Sequence, residues 1–141
     1  MAILSRFVVT VSKNATVLDA IQAMAAGKVG SIAVVDGNTL EGIFSERDVM
    51  LRVVAEGRDP KTTTVEEVMT SPVQTIQKRT TGEEVLRIMV QNHIRHLPVV
   101  DEMGQVQAMV SMRSLLEEQV EELHQQLNSL ESYITADGIG G

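Results

Sequence analysis

Ser45 and Asp48 stand three residues apart at the end of an apolar run, in "GIFSERDVM" (42–50). Residues of these types at this spacing can do two things. In a capping box, a Ser at a helix N-cap accepts a hydrogen bond from an early backbone amide, and an acidic side chain three residues on reaches back to the cap. Asp in the first turn also complements the helix dipole. The same arrangement suits a ligand. A helix N-terminus attracts phosphate, and a carboxylate has two oxygens with which to accept both hydroxyls of a ribose. Ile43 and Phe44 just before it offer an apolar surface beside which an adenine could lie. Both readings stand on these residues.

Other chemistry is thinner. His93-x-x-His96 has a metal-ligand spacing only if both imidazoles share one helical face. The expected helix ends between them, and His124 falls on a distant helix, so His96 is expected to bond backbone or a phosphate instead. Cysteine is absent, which excludes disulfides, thiol catalysis and Cys-zinc sites. No Walker-type Gly-rich Lys loop and no Ser/His/Asp order occurs, so the chain is not expected to be an enzyme. A formal net charge of −7 argues against nucleic acid, whose backbone demands clustered Lys and Arg.

The elements that position these residues occur twice. Shifted by 65 residues, Val8, Thr10, Lys13, Thr16, Met24, Val34, Val35 and Asp36 fall on Val73, Thr75, Lys78, Thr81, Met89, Val99, Val100 and Asp101. After one inserted residue, Ser45 and Arg47 fall on Ser111 and Arg113. In the first unit the patterning predicts a strand at 8–11, then a helix capped by Thr16 with Asp19 and stopped by Gly27. It continues with strands 31–35 and 42–44, and a helix opened by Ser45 that stops near Gly57. The second unit repeats this: a strand at 73–76, Thr81 with Glu84 capping a helix to about Asn92, strands 96–100 and 106–110, and a helix from about 112. Units of this size bury little surface alone. The expected fold is therefore α/β (α+β): two β-α-β-β-α repeats packed sheet to sheet with pseudo-twofold symmetry. Their boundaries are 1–60 and 73–120, with a linker at 61–72 holding a short helix capped by Thr64 and Glu67. Residues 121–141 form a C-terminal helical extension and a frayed Gly-rich end, "TADGIGG" (135–141).

That order, the period, and the phrases "IRHLPVVD", "VEEVMTSPV" and "GIFSERDVM" resemble a cystathionine-β-synthase (CBS) domain pair, or Bateman module, of the stand-alone bacterial signal-transduction type. The resemblance covers roughly residues 5–120. It implies a regulatory ligand, an adenine nucleotide (AMP, ADP, ATP or NAD(H)), held between the repeats. Gly42, Ser45 and Asp48 match the ribose-binding motif position by position, with Ile43 and Phe44 between. It further implies that Ser71, Pro72, Val73 and Thr75 form the opposite wall of the pocket. Arg95, His96, Arg47 and Arg113 are then candidate phosphate contacts, and Ser111 can cap the second helix. In the second repeat Ala108 stands for Gly42 and Ser114 for Asp48. One neutral hydroxyl oxygen is a poorer partner for two ribose hydroxyls than the two oxygens of a carboxylate, so one competent site per chain is expected. The alternative is an interaction scaffold with a vestigial site.

The last helix outruns the repeat. Leu116, Val120, Leu123, Leu127, Leu130 and Ile134 follow a 4-3-4-3-4 spacing, a heptad seam. It either packs against a second copy, giving a homodimer, or folds back on its own module. The start of the chain makes a poor signal peptide, and no apolar run approaches the ~20 residues of a membrane span. The chain is expected to be cytoplasmic, to touch no membrane, and to signal to an effector protein in trans.

Overall fold

The computed structural model describes residues 8–134; the Gly-rich stretch 135–141 lies outside them. The first repeat runs β1 (Thr10–Ser12), α1 (Val17–Gly27), β2 (Ser31–Asp36), β3 (Thr39–Ser45), and α2 (Glu46–Asp48), which continues as a π-helical stretch (Val49–Val54). Next comes a linker helix, α3 (Val65–Val68). The second repeat runs α4 (Gly82–Asn92), β4 (His96–Val100), β5 (Val106–Ser111) and α5 (Met112–Ile134).

β2 is the central strand of the first sheet, parallel to β1 and antiparallel to β3. Residues 31–35 are all buried, as expected for a strand covered on both faces. β4 and β5 form the matching antiparallel pair. The match extends to irregularities: a bulge falls between Val34 and Val35 in one hairpin and between Val99 and Val100 in the other.

Helix starts follow the sequence. Thr16 Oγ1 accepts from the Asp19 amide at 3.1 Å and Thr81 Oγ1 from the Glu84 amide at 3.2 Å. Helix ends do not. Gly27 stays helical and Lys28 takes the left-handed cap at φ 54°, as His93, 65 residues on, does at φ 55°. Gly27 serves close packing instead: a Cβ there would lie 2.8 Å from Val9 Cγ2.

The strand expected at 73–76 shrinks to one parallel bridge between Ile76 and Val99. Its cause is Pro98. In the first repeat the Ala33 amide donates to the Val9 carbonyl at 3.0 Å; at the equivalent position Pro98 has no N–H to offer residue 74. Only the Ile76 amide to Pro98 O and the Val100 amide to Ile76 O remain.

Each repeat has its own core. Val17, Ala20, Met24, Ile32, Val34, Phe44, Val53, Val65 and Val68 build the first. Ile76, Val85, Met89, Leu97, Val99, Ala108, Val110 and Leu115 build the second. Between repeats, the Leu40 amide donates to Gly104 O and the Val106 amide to Asn38 O, both at 3.1 Å, so the two hairpins meet at their turns. The linker lies on β3, where Ile43 and Thr70 exchange backbone hydrogen bonds at 3.0 and 2.8 Å. Leu115 anchors α5 in the second core, but the heptad seam beyond it is exposed. The seam therefore does not fold back on its own module.

Candidate functional site

Strand β3 delivers Ser45 in extended conformation (φ −125°, ψ 168°), and the chain turns there into α2. Asp48 Oδ2 accepts from the Ser45 amide at 3.0 Å and from Ser45 Oγ at 3.1 Å, while the Asp48 amide donates to Ser45 Oγ at 3.3 Å. The capping box is thus complete. The carboxylate is buried and does more than cap. Its Oδ1 accepts from Thr70 Oγ1 at 3.2 Å and faces Arg52 Nε at 3.5 Å. Arg52 Nη1 in turn donates to the Met69 carbonyl at 2.8 Å. Asp48 therefore ties the start of α2 to the linker segment Val68–Thr70 through one hydroxyl and one guanidinium.

Gly42 belongs to the same junction. A Cβ on it would lie 2.7 Å from Thr70 O and 2.6 Å from Met69 Sδ, so only glycine lets the linker approach β3 this closely. Ser71 Oγ closes the contact by donating to Glu41 O at 2.9 Å. Phe44 is fully buried in the first core, so it keeps no face for a base; Ile43 is buried beside it. Ser71 and Pro72 are exposed, and Val73 and Thr75 half-buried.

A second group gathers elsewhere. Arg95, His96, Ser111 and Arg113 line one open cleft of about 870 Å³, together with Leu116 and Val120 of α5 and with Glu46, the one contribution from the first repeat among the described residues. The Met112 amide donates to Arg95 O at 2.8 Å, the counterpart of Glu46 N to Gly30 O at 3.0 Å. His96 is half-buried. Burial holds its pKa below the usual value; Glu46 pulls the other way and Arg95 adds to the lowering. Arg113 is paired with Glu117 at 3.1 Å, so its charge is partly spent. Arg47 is exposed on α2 and lines neither group.

The sequence-predicted residues thus divide between a linker junction around Asp48 and a cleft around His96, with Glu46 two residues from Asp48 reaching into the second. His93 caps α4 and His96 opens β4, so the two do not share a helical face. Reading the sequence missed Arg52, although Asp48 and Arg52 at i,i+4 are a recognisable ion-pair spacing. It missed Thr70, whose contact with Asp48 spans 22 residues and leaves no local signal. It also missed Ser31, the first-repeat counterpart of His96, whose buried hydroxyl has no hydrogen-bond partner among the described residues.

In the second repeat Ser111 and Ser114 form only a local cap. Their hydroxyls are 2.7 Å apart, the Ser114 amide donates to Ser111 Oγ at 3.1 Å, and Ser114 Oγ donates to Ser111 O.

A profile of the CBS domain matches residues 2–55 and 65–121. The chain is 33% identical over 124 residues to the CBS domain-containing protein CBSX3, mitochondrial, of Arabidopsis thaliana, covering 84% of this chain and 60% of that one. It therefore spans about three fifths of that relative's length. Among solved structures, a protein with CBS domains from Burkholderia ambifaria superposes with a TM-score of 0.76 at 37% identity, over 82% of this chain and 85% of the other. The hexameric CBS-CP12 protein from bloom-forming cyanobacteria gives a TM-score of 0.72 at 26% identity, over 96% and 86%.

Proposed function

This chain belongs to the CBS-domain family, and from that premise we propose that it is a cytoplasmic regulatory module that binds an adenine nucleotide and passes the bound state to an effector in trans. CBS-domain proteins are generally regulatory rather than catalytic. No described helix is long and apolar enough to cross a membrane. The ligand in this reading is AMP, ADP, ATP or NAD(H), and the working unit is a homodimer. A hexamer among the structural neighbours is in keeping with self-association.

The observation that carries the reading is the buried carboxylate of Asp48 at a helix start, already accepting hydroxyl protons from Ser45 and Thr70. Once the protein hydroxyls are displaced, the same two oxygens have the lone pairs for two ribose hydroxyls. Arg95 and Arg113 in the adjoining cleft are the cations for the phosphates, with His96 and Ser111 as further donors beside them. The Ser114 hydroxyl has one neutral oxygen where the carboxylate has two that share a charge, so the module takes one nucleotide per chain.

A second reading is an interaction scaffold with a vestigial site. The engagement of Asp48 by Thr70 and Arg52 favours it, because those contacts leave the carboxylate satisfied without a ligand.

Thermal unfolding with and without millimolar AMP, ADP, ATP or NADH separates the two. A ligand at ~100 times its dissociation constant adds about 2.7 kcal/mol, a shift of several degrees at this size. The expected result is a shift in the wild type that disappears in Asp48→Ala. No shift with any of the four selects the scaffold.

A further inference from the structure

Six large apolar side chains of α5, Leu116, Val120, Leu123, Leu127, Leu130 and Ile134, stand 44–64% exposed. Their 4-3-4-3-4 spacing gathers them into one seam. The first repeat carries a shorter version. Met50 and Val54, the counterparts of Leu116 and Val120 after a shift of 66 residues, are also exposed.

What covers the α5 seam is decided by its length and its residues. From Leu116 to Ile134 it runs about 27 Å at 1.5 Å per residue. The stretch from Met50 to Val54 offers only about 6 Å by the same measure, so another molecule's first-repeat helix cannot match it. A second α5 can. In heptad terms the d row is Leu116, Leu123 and Leu130, and the a row is Val120, Leu127 and Ile134. Leucine throughout d with β-branched residues at two of three a positions is the distribution that favours two strands over three or four in a parallel coil, and the flanking residues decide the orientation. A parallel pair sets Gln119 of one copy beside His124 of the other, and Gln126 beside Glu131. An antiparallel pair sets Glu117 against Glu131, a like-charge contact. Arg113 continues the a row toward the N-terminus, where its bond to Glu117 at 3.1 Å offsets its charge at the end of the seam.

We infer that two copies of this chain pair in parallel along α5. The inference rests on the homodimer proposed above and adds its orientation. Leu116 and Val120 also line the cleft that holds Arg95 and His96, so the second α5 runs along the cleft's edge. Pairing then encloses a site that is open in a single chain.

The absence of native cysteine makes the test direct. Leu116→Cys and Ile134→Cys are made singly, and each is oxidised without nucleotide. A parallel pair places each new thiol beside its own copy, within disulfide reach, so each variant alone gives a covalent dimer. Adding Leu123→Glu to Ile134→Cys abolishes that dimer and leaves the circular dichroism of the fold unchanged. Crosslinking only when the two Cys variants are mixed overturns the parallel orientation while keeping the dimer. A wild type that sediments as a monomer at micromolar concentration overturns the dimer itself. Neither result depends on nucleotide, whose stabilising effect is read separately.

Discussion

Asp48 and Ser114 occupy the same place in the two repeats, three residues after a serine that opens a helix, and they reach different distances. Ser114 bonds only within its own turn among the described residues. Asp48 caps its helix as well and also reaches 22 residues along the chain to Thr70. Each serine hydroxyl accepts the amide three residues on, but only the carboxylate also accepts the cap serine's amide in return. The carboxylate's additional lone pairs are what allow it to hold the linker. The Gly42/Ala108 difference has the same origin: glycine stands in the repeat where the linker crosses β3, and alanine stands in the second core. The two copies share a fold, and only the first is fitted to grip the linker between them.

The sharpest way to break the comparison is to exchange the residues at the parallel ladder. Ala33→Pro removes the amide that donates to Val9 O in a fully buried central strand. It should cost about 3 kcal/mol or more, read as a lower denaturant midpoint. The reverse change, Pro98→Ala, should shift stability by under about 1 kcal/mol. It should give residue 98 an amide protected from hydrogen exchange by bonding to residue 74.

Next in size is Gly42→Ala, which drives a methyl group into the Thr70 carbonyl and should cost about 1–3 kcal/mol. Ala108→Gly should cost about 1 kcal/mol or less, from backbone freedom and a lost methyl group. Equal costs at the two positions would mean that the linker contact does not set the difference.

Asp48→Ser makes the first repeat resemble the second. It keeps the Ser45 cap, loses the ties to Thr70 and Arg52, and should destabilise by about 1–2 kcal/mol. The converse, Ser114→Asp, bears on the proposed function. Calorimetry with AMP should find the wild-type stoichiometry of one per chain rising toward two.

The smallest effect is a pH dependence. Burial lowers the pKa of His96 in the folded state, so folding favours the neutral imidazole. The stabilising contribution is complete above the unfolded pKa of about 6.5. It is lost as pH falls through the lower folded value. The thermal midpoint of the wild type should therefore drop on acidification below about pH 6.5, and drop less in His96→Gln. Ser31 at the equivalent place has nothing to titrate. A phosphate in the cleft favours the charged imidazole, so AMP binding should strengthen as pH falls.

Local devices were readable from the chain. Thr16, Ser45 and Thr81 announced their caps because a cap is decided within four residues. The period of 65 placed both hairpins. Pro98 was legible but unread: a proline in an apolar run already implies that one neighbouring strand goes short. The replacement of Gly27 by Lys28 as the helix stop was not legible, because it depends on Val9 crowding the glycine from another element. The Asp48–Thr70 contact belongs to the same class, since nothing near either residue names the other. The exposure of the α5 seam was undecided by its spacing, which suits a partner and a fold-back equally.

The Thr70 hydroxyl and the Arg52 guanidinium make the first repeat its own competitor. Whatever seeks Asp48 Oδ1 meets a site already filled from within the same chain, at an effective concentration that dilution cannot lower. Apparent affinity is reduced by the fraction of time the carboxylate is free. A Thr70→Val chain should therefore bind more tightly than the wild type while holding its linker less firmly.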